Sequence, residues 1–310
     1  MEWVSKKEEV VRAGVFLVEH GLVSRTWGNI SVRQDDKWFS ITPSGKSYDD
    51  ITCDDIVDVS METLEFQGDI RPSSEKGLHK VIYDERKEAM AIVHTHQRFA
   101  TALSVLANGG CSENNSIFCG ELITQDIGAS FVQYAMSGTE KLVENTKKVL
   151  KNAKKNWLIL ANHGVCTWGV NLKAAMNVAI ELEKKSEEIL KAINVCWDKE
   201  IILDYKKERN SYYCYNNSAE IRGIIKKGVD CLDGYIDDFG QIVGEKVTVD
   251  EKKGVFLKAD NLDDLKAMNE ITSKNALACQ VALAFGANPI ATNYLKEMRK
   301  KYVEYYSKLK

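Results

Sequence analysis

Apolar residues return at helical spacing in the first twenty positions. Ser5 and Glu8 stand three apart just before Val10, Val11, Val15 and Phe16 as the capping-box start of an amphipathic helix, and Gly21 is placed to end it. The period then drops to two. Ile30-Ser31-Val32-Arg33 and Trp38-Phe39-Ser40-Ile41-Thr42 alternate around polar turn residues and predict a β-hairpin. Thr42-Pro43-Ser44-Gly45 reads as a turn, because proline fixes one φ and glycine permits a positive one. A strand is predicted over 55–59. The loop Arg71-Pro72-Ser73-Ser74 leads into a helix marked by Leu78, Val81 and Ile82. Residues 89–96 read as a strand, 99–107 as a helix, and the Gly-, Asn- and Ser-rich stretch 108–120 as a loop.

Further on, 140–155 has the pattern of a charged amphipathic helix. The run 157–161 is a buried strand broken by Asn162-His163-Gly164, 165–168 resumes as a strand, and 172–193 is a long helix with Ala, Met, Ile and Leu on one face. Helices and strands mix throughout, so the class is α/β with helices covering a sheet. After residue 204 the texture changes. Tyr212, Tyr213 and Tyr215 cluster among charged and Asn residues, and no histidine follows His163. Gly254, Val255, Asn261, Leu262 and Lys274 faintly repeat Gly164, Val165, Asn171, Leu172 and Lys184 at a constant offset. Residues 1–204 therefore read as the catalytic unit, and 205–310 as a second region with a structural or regulatory role.

Composition narrows the class. The chain has 310 residues, of which 44% are hydrophobic and 28% charged, enough to bury a core. Lys and Arg total 42 against 45 Asp and Glu, a net charge of −3, so no basic field exists to hold a nucleic acid. No apolar run reaches the ~18–20 residues that span a bilayer. The first twenty residues interleave charges with apolar positions and do not read as a signal peptide. The eight cysteines contain no Cys-x-x-Cys pair and read as reduced thiols, so a cytoplasmic protein is expected.

The candidate chemistry lies in the histidines. Only five occur, and His94 and His96 sit two apart on a predicted strand, where residues i and i+2 share a face. They are either two inert, hydrogen-bonded rings at a strand end or metal ligands. His163 follows a buried strand and precedes Gly164, whose freedom allows a sharp turn that would push the imidazole out. Three neutral nitrogen ligands with open positions fit a catalytic Zn²⁺ or a similar divalent ion. His20 reads as helix surface and His79 as helix packing. Glu75, at a helix start, either favours the helix dipole or marks an anion site built from Ser73, Ser74 and the helix N–H groups. Gly28-Asn29 with Ser31, and Ser44-Gly45, are further loops able to offer N–H and hydroxyl donors.

Taken in order, Gly28-Asn29-Ile30-Ser31-Val32-Arg33, Thr42-Pro43-Ser44-Gly45, Pro72-Ser73-Ser74-Glu75 with His79 and Tyr83, Val93-His94-Thr95-His96 and Asn162-His163-Gly164 resemble the class II aldolase/adducin family over roughly residues 5–200. The resemblance implies a three-layer α/β/α fold with a mixed, mostly antiparallel central sheet, to which the C-terminal region is an extension. It implies Zn²⁺, or another divalent ion such as Mn²⁺ or Co²⁺, on His94, His96 and His163. It implies that Glu75 is the acid/base and ligates the metal in the resting site. It implies a sugar phosphate held by Gly28, Asn29, Ser44, Gly45, Ser73 and Ser74, and a homotetramer with sites at subunit interfaces. The expected reaction is cleavage of a ketose 1-phosphate to dihydroxyacetone phosphate and a short aldehyde through an enediolate, with no nucleic acid or membrane as partner. The epimerase branch of the family has Asp in place of Glu75, which speaks against epimerisation. The alternatives are a dehydratase on the same scaffold and a non-catalytic, adducin-like assembly module. Aldolase relatives also use a tyrosine as proton donor to the leaving oxygen. Residues 111–120 hold none, and Tyr212, Tyr213 or Tyr215 would have to serve from the tail if they are not simply packing aromatics.

Overall fold

The computed structural model describes residues 5–23, 26–107, 130–199 and 204–304. Helix α1 (Lys6–Glu19) begins where expected, with the Ser5 hydroxyl accepting the Glu8 N–H. The predicted hairpin is β1 (Asn29–Arg33) and β2 (Trp38–Ile41), paired Ser31 to Ile41. Then follow β3 (Val57–Ser60), α2 (Lys76–Glu85), β4 (Ala91–Thr95), α3 (Arg98–Leu103) and β5 (Phe131–Val132). Helix α4 (Glu140–Leu150), strands β6 (Trp157–Leu160) and β7 (Gly164–Gly169), and helix α5 (Leu172–Ala192) complete the first half. The predicted loop at 108–120 lies outside the described residues.

These strands form one seven-stranded sheet in the order β3-β2-β1-β4-β7-β6-β5. Every neighbouring pair is antiparallel except β5 with β6, so the sheet is mixed and mostly antiparallel. Its two faces are covered by different helices. Val10, Ala13 and Leu17 of α1 and Leu172, Ala175 and Ala179 of α5 pack on Ile30, Val32, Ala91 and Val93. On the other face Leu78, Val81 and Ile82 of α2 and Leu142 and Leu150 of α4 meet Phe39, Ile41, Ile92, Leu158 and Trp168. The expected three layers follow from this alternation, since successive strand residues point to opposite faces.

Beyond residue 204 come β8 (Lys206–Glu208), β9 (Ser211–Asn216), α6 (Ala219–Ile225), β10 (Cys231–Asp233), α7 (Asp237–Ile242), β11 (Lys246–Asp250), β12 (Gly254–Ala259), α8 (Leu262–Phe285) and α9 (Thr292–Glu304). Their strands form a second, antiparallel sheet ordered β10-β11-β12-β9-β8. Residues 161–190 and 251–280 run through the same succession of turn, strand, bend and helix. Gly164 and Gly254 each open a strand, and Asn171 and Asn261 each cap the helix that follows. One hydrophobic core crosses from sheet to sheet. It joins Leu103, Leu106, Leu182 and Ile189 to Leu257, Leu265, Ile271 and Leu277.

A partly buried carboxylate beside this shared core caps α3. Glu183 on α5 accepts the N–H groups of Phe99 at 2.8 Å and Ala100 at 3.0 Å. Burial pushes its pKa up from 4.5 to about 6. A carboxyl whose folded pKa exceeds its unfolded value binds its proton more tightly in the folded chain. Its stabilising contribution is therefore full below about pH 4.5 and is lost as pH rises through about 6. Relative to Glu183→Gln, the native chain should lose about 1–2 kcal/mol of unfolding free energy between those limits, measured by urea denaturation at each pH. Parallel pH profiles for the two proteins would show that Glu183 does not titrate there.

Candidate active site

Three adjacent strands bring residues distant in sequence to one end of the first sheet. The register pairs Asn29 on β1 with His94 on β4, and Thr95 on β4 with Val165 on β7. His163 is the second residue before Val165, in the turn that joins β6 to β7. The sharp bend there is made by Asn162, at φ 56°, and Gly164 has another task. A Cβ on Gly164 would stand 2.5 Å from the Thr95 carbonyl oxygen and 3.0 Å from the His96 ring. Gly28 has φ 84°, and a Cβ there would meet the His94 carbonyl oxygen at 2.5 Å. Both glycines let neighbouring backbone close on the histidine strand. His96 lies one residue beyond β4, so the strand predicted to include it stops short, yet its ring still meets that of His94.

The imidazoles of His94, His96 and His163 form a triangle with ring centroids 4.8–4.9 Å apart. The His94 and His96 Nε2 atoms are 2.9 Å apart. Glu75, the N-cap residue of α2, faces them with Oε2 3.2 Å from His94 Nε2 and Oε1 3.5 Å from His163 Nε2. All four side chains are buried. Two of the rings are held from behind, His94 Nδ1 by the Val165 carbonyl at 2.9 Å and His96 Nδ1 by Asp238 at 2.7 Å, whereas His163 Nδ1 has no hydrogen-bond partner. Asp237 lies 3.9 Å from His163 Nδ1. The Glu75 carboxylate is aimed by a relay. Asn29 Nδ2 donates to it at 2.9 Å, Asn29 Oδ1 accepts from His79, and the other nitrogen of His79 bonds Ser31. Burial holds the His79 pKa at about 3, so this ring is neutral. His20, by contrast, is exposed and stacked on Phe16.

Burial by itself would raise the Glu75 pKa, but the facing His94 and His163 rings outweigh it and hold the carboxyl well below its usual range. Burial likewise presses on His94, but Glu75 and Cys166 outweigh it and keep that ring well above its ordinary value. His163 falls to about 3, chiefly through burial, and presents a neutral imidazole. The pocket thus pairs a buried anion with lone-pair donors and draws positive charge to one spot. Glu75 Oε1 has no hydrogen-bond partner there. Three imidazole nitrogens within 4.8 Å of one another, beside an orphaned carboxylate oxygen, are a donor set that fits a divalent cation.

A cavity of about 500 Å³ opens onto this centre through Glu75 and His96. All six residues expected to hold a phosphate line it, namely Gly28, Asn29, Ser44, Gly45, Ser73 and Ser74. Asn29 does so with its amide already engaged by Glu75 and His79. The two serine-bearing turns are tied together, with Ser44 N–H donating to Arg71 and Ser73 N–H to Thr42. A larger adjoining groove has a floor rich in Asp49, Asp50, Asp55 and Asp69 and contains none of the histidines, so its charge disfavours an anion.

Some site residues were invisible in the sequence. Asp237 and Asp238, in the first turn of α7, and Lys274 of α8 surround the triad from the second half of the chain. Helix α9 contributes Met298, Lys301, Tyr302 and Glu304 to the cavity wall. Lys274 had a sequence signal only as one of five faint repeat positions. Tyr212, Tyr213 and Tyr215 lie on the second sheet, where Tyr213 and Tyr215 pack on Phe256, and none lines the cavity.

Comparison with known proteins agrees with this geometry. The signature of the Class II Aldolase and Adducin N-terminal domain matches residues 8–190. A 5-methylthioribulose-1-phosphate/5-deoxyribulose-1-phosphate aldolase of Rhodospirillum rubrum is 32% identical over 65% of this chain and 88% of its own length. A 3-oxo-tetronate 4-phosphate decarboxylase of Haemophilus influenzae is 32% identical over 59% of this chain and 86% of its own length. Among solved structures, an L-fuculose 1-phosphate aldolase superposes with a TM-score of 0.52 at 30% identity, over 63% of this chain and 89% of that one. On the strength of a match spanning residues 8–190, the chain belongs to the class II aldolase and adducin family.

Proposed function

We propose that this chain is a divalent-metal-dependent aldolase that cleaves a ketose 1-phosphate to dihydroxyacetone phosphate and a short aldehyde. The reading is carried by the convergence of His94, His96, His163 and Glu75 at the inner end of a cavity walled by serine- and glycine-bearing turns. The three imidazoles, with Glu75, would hold Zn²⁺, Mn²⁺ or Co²⁺. Bound there, such an ion supplies a Lewis acid for substrate oxygens and offsets the negative charge that develops as the carbon–carbon bond breaks.

The protein's own groups do the rest. Ser73 and Ser74 at the N-terminus of α2, with Ser44 and Gly45 across from them, receive the phosphate. Gly28 allows that wall to approach the histidine strand. Cleavage moves one proton from the C4 hydroxyl to C3 as the C3–C4 bond breaks. Glu75 serves the C3 end, aimed by Asn29. Tyr302 is assigned the hydroxyl end, as the tyrosine among the cavity-lining residues. A homotetramer is the assembly that the family resemblance suggests. Similarity to the Haemophilus influenzae protein favours a second reading, decarboxylation of a 3-oxo acid phosphate, which also breaks a bond next to a carbonyl.

Protein purified without chelators should contain about one divalent ion per chain by elemental analysis. EDTA should abolish triose phosphate release from a panel of ketose 1-phosphates, and Zn²⁺, Mn²⁺ or Co²⁺ should restore it. A chain that neither carries nor takes up such an ion would sink both readings. Product identification separates them, since carbon dioxide marks a decarboxylase and a short aldehyde released beside dihydroxyacetone phosphate marks an aldolase.

Glu75→Gln should keep the bound ion and lower kcat by about 10²–10⁴-fold in single-turnover and steady-state assays. Undiminished turnover in that variant would remove Glu75 from proton transfer.

A further inference from the structure

We propose that the chain beyond the family match completes the metal centre, with Asp238, braced by Lys274, acting as the positioning residue for His96. The inference rests on the metal reading above and adds to it a part supplied only by the second half of the chain. The family match ends at residue 190, and both residues lie beyond it.

The geometry is specific. Asp238 Oδ1 accepts from His96 Nδ1 at 2.7 Å, which turns Nε2 toward His94 and the centre. The other carboxylate oxygen, Oδ2, accepts from Lys274 Nζ at 2.8 Å, and the same ammonium donates to the His96 carbonyl at 2.9 Å. One ion pair therefore fixes His96 by its ring and by its backbone. Asp238 is 0% and Lys274 5% exposed. Removing two such charges from water costs several kcal/mol per ion, and a buried pair adds little net stability over apolar side chains of similar volume. Its distinctive product here is orientation. A carboxylate behind a ligating imidazole fixes the tautomer and strengthens the nitrogen as a ligand.

The repeat within the fold supports the assignment independently. Thr95 pairs with Val165 in the first sheet, and Asn216 with Val255 in the second. That register sets Tyr215, Asn217 and Lys253 at the positions of His94, His96 and His163, with Lys253 Nζ 5.6 Å over the Tyr215 ring. The second half thus holds no imidazole set of its own. Lys184 is exposed on α5, whereas its counterpart Lys274 is turned inward to the first sheet's site.

The test is Co²⁺ binding to the intact chain, measured in competition with a chelating dye and read also from the visible Co²⁺ absorption band. Asp238→Asn should weaken Co²⁺ about 10–100-fold and alter the band, with an unchanged far-UV circular dichroism spectrum. If that variant does not fold, Asp238→Asn combined with Lys274→Met removes both charges together and should show the same loss. His96→Ala serves as reference for loss of a ligand. Native affinity and an unaltered band in the Asp238 variant, with Co²⁺ still lost in His96→Ala, overturn the positioning role and leave the metal reading standing. A native chain that binds no Co²⁺, or a His96→Ala variant that binds it as the native chain does, overturns the metal reading and this inference with it.

Discussion

The site is organised by the burial of one carboxylate. Glu75 is 5% exposed, and among the described residues no lysine or arginine is paired with it. An anion removed from water needs opposite charge and hydrogen bonds, or it takes up a proton. Here it has one amide donor from Asn29 and three imidazoles opposite it, and one oxygen is left without a partner. That imbalance is what gives the cluster a use. Were Glu75 matched by an ordinary salt bridge, the three rings would simply be packed and the cavity above them would be a dent in the surface.

Such an arrangement requires several strands to approach more closely than side chains usually allow. The first sheet achieves this with Gly28 and Gly164, where an added Cβ would meet the carbonyl oxygens of His94 and Thr95, both on β4. Those oxygens belong to a central strand with ladder bonds on both sides, so neither has room to yield. Asn29 is held in the same place by His79, whose neutrality lets it act as a fixed donor to the amide oxygen. The setting of the Glu75 carboxylate therefore depends on two glycines and a neutral histidine as much as on the groups that face it.

How far the sequence revealed this varies with the distance over which each interaction acts. The His-x-His pair, the Asn-His-Gly turn and the Pro-Ser-Ser-Glu entry to α2 are local patterns, and local patterns carry their geometry with them. Strands β1, β2 and β6 were legible from alternation and a continuous apolar run, whereas the mixed, mostly antiparallel order of the sheet came from the family resemblance. The two-residue strand β5 is too short to leave a period. The bend beside His163 was assigned to Gly164, but Asn, the residue next most tolerant of positive φ, takes it at Asn162. Asp237 and Asp238 had no readable signal. Adjacent acids in the first turn of a helix ordinarily answer its dipole, and their partners lie far away at residues 163 and 96.

The second half of the chain shows why that distance matters. Its strand and long helix retrace those of the first half, yet the residues at the three histidine positions are Tyr215, Asn217 and Lys253. Without an imidazole set, this half contributes by burying surface and by supporting its neighbour. Leu265, Ile271 and Leu277 bury surface, sharing one core with Leu182 and Ile189. Asp238 and Lys274 support the neighbour, and they do so through buried charges that a purely packing role would not need. Texture changes near residue 204, but the physics does not divide there. The same helices that fill the gap between the two sheets carry the groups that hold His96 in place.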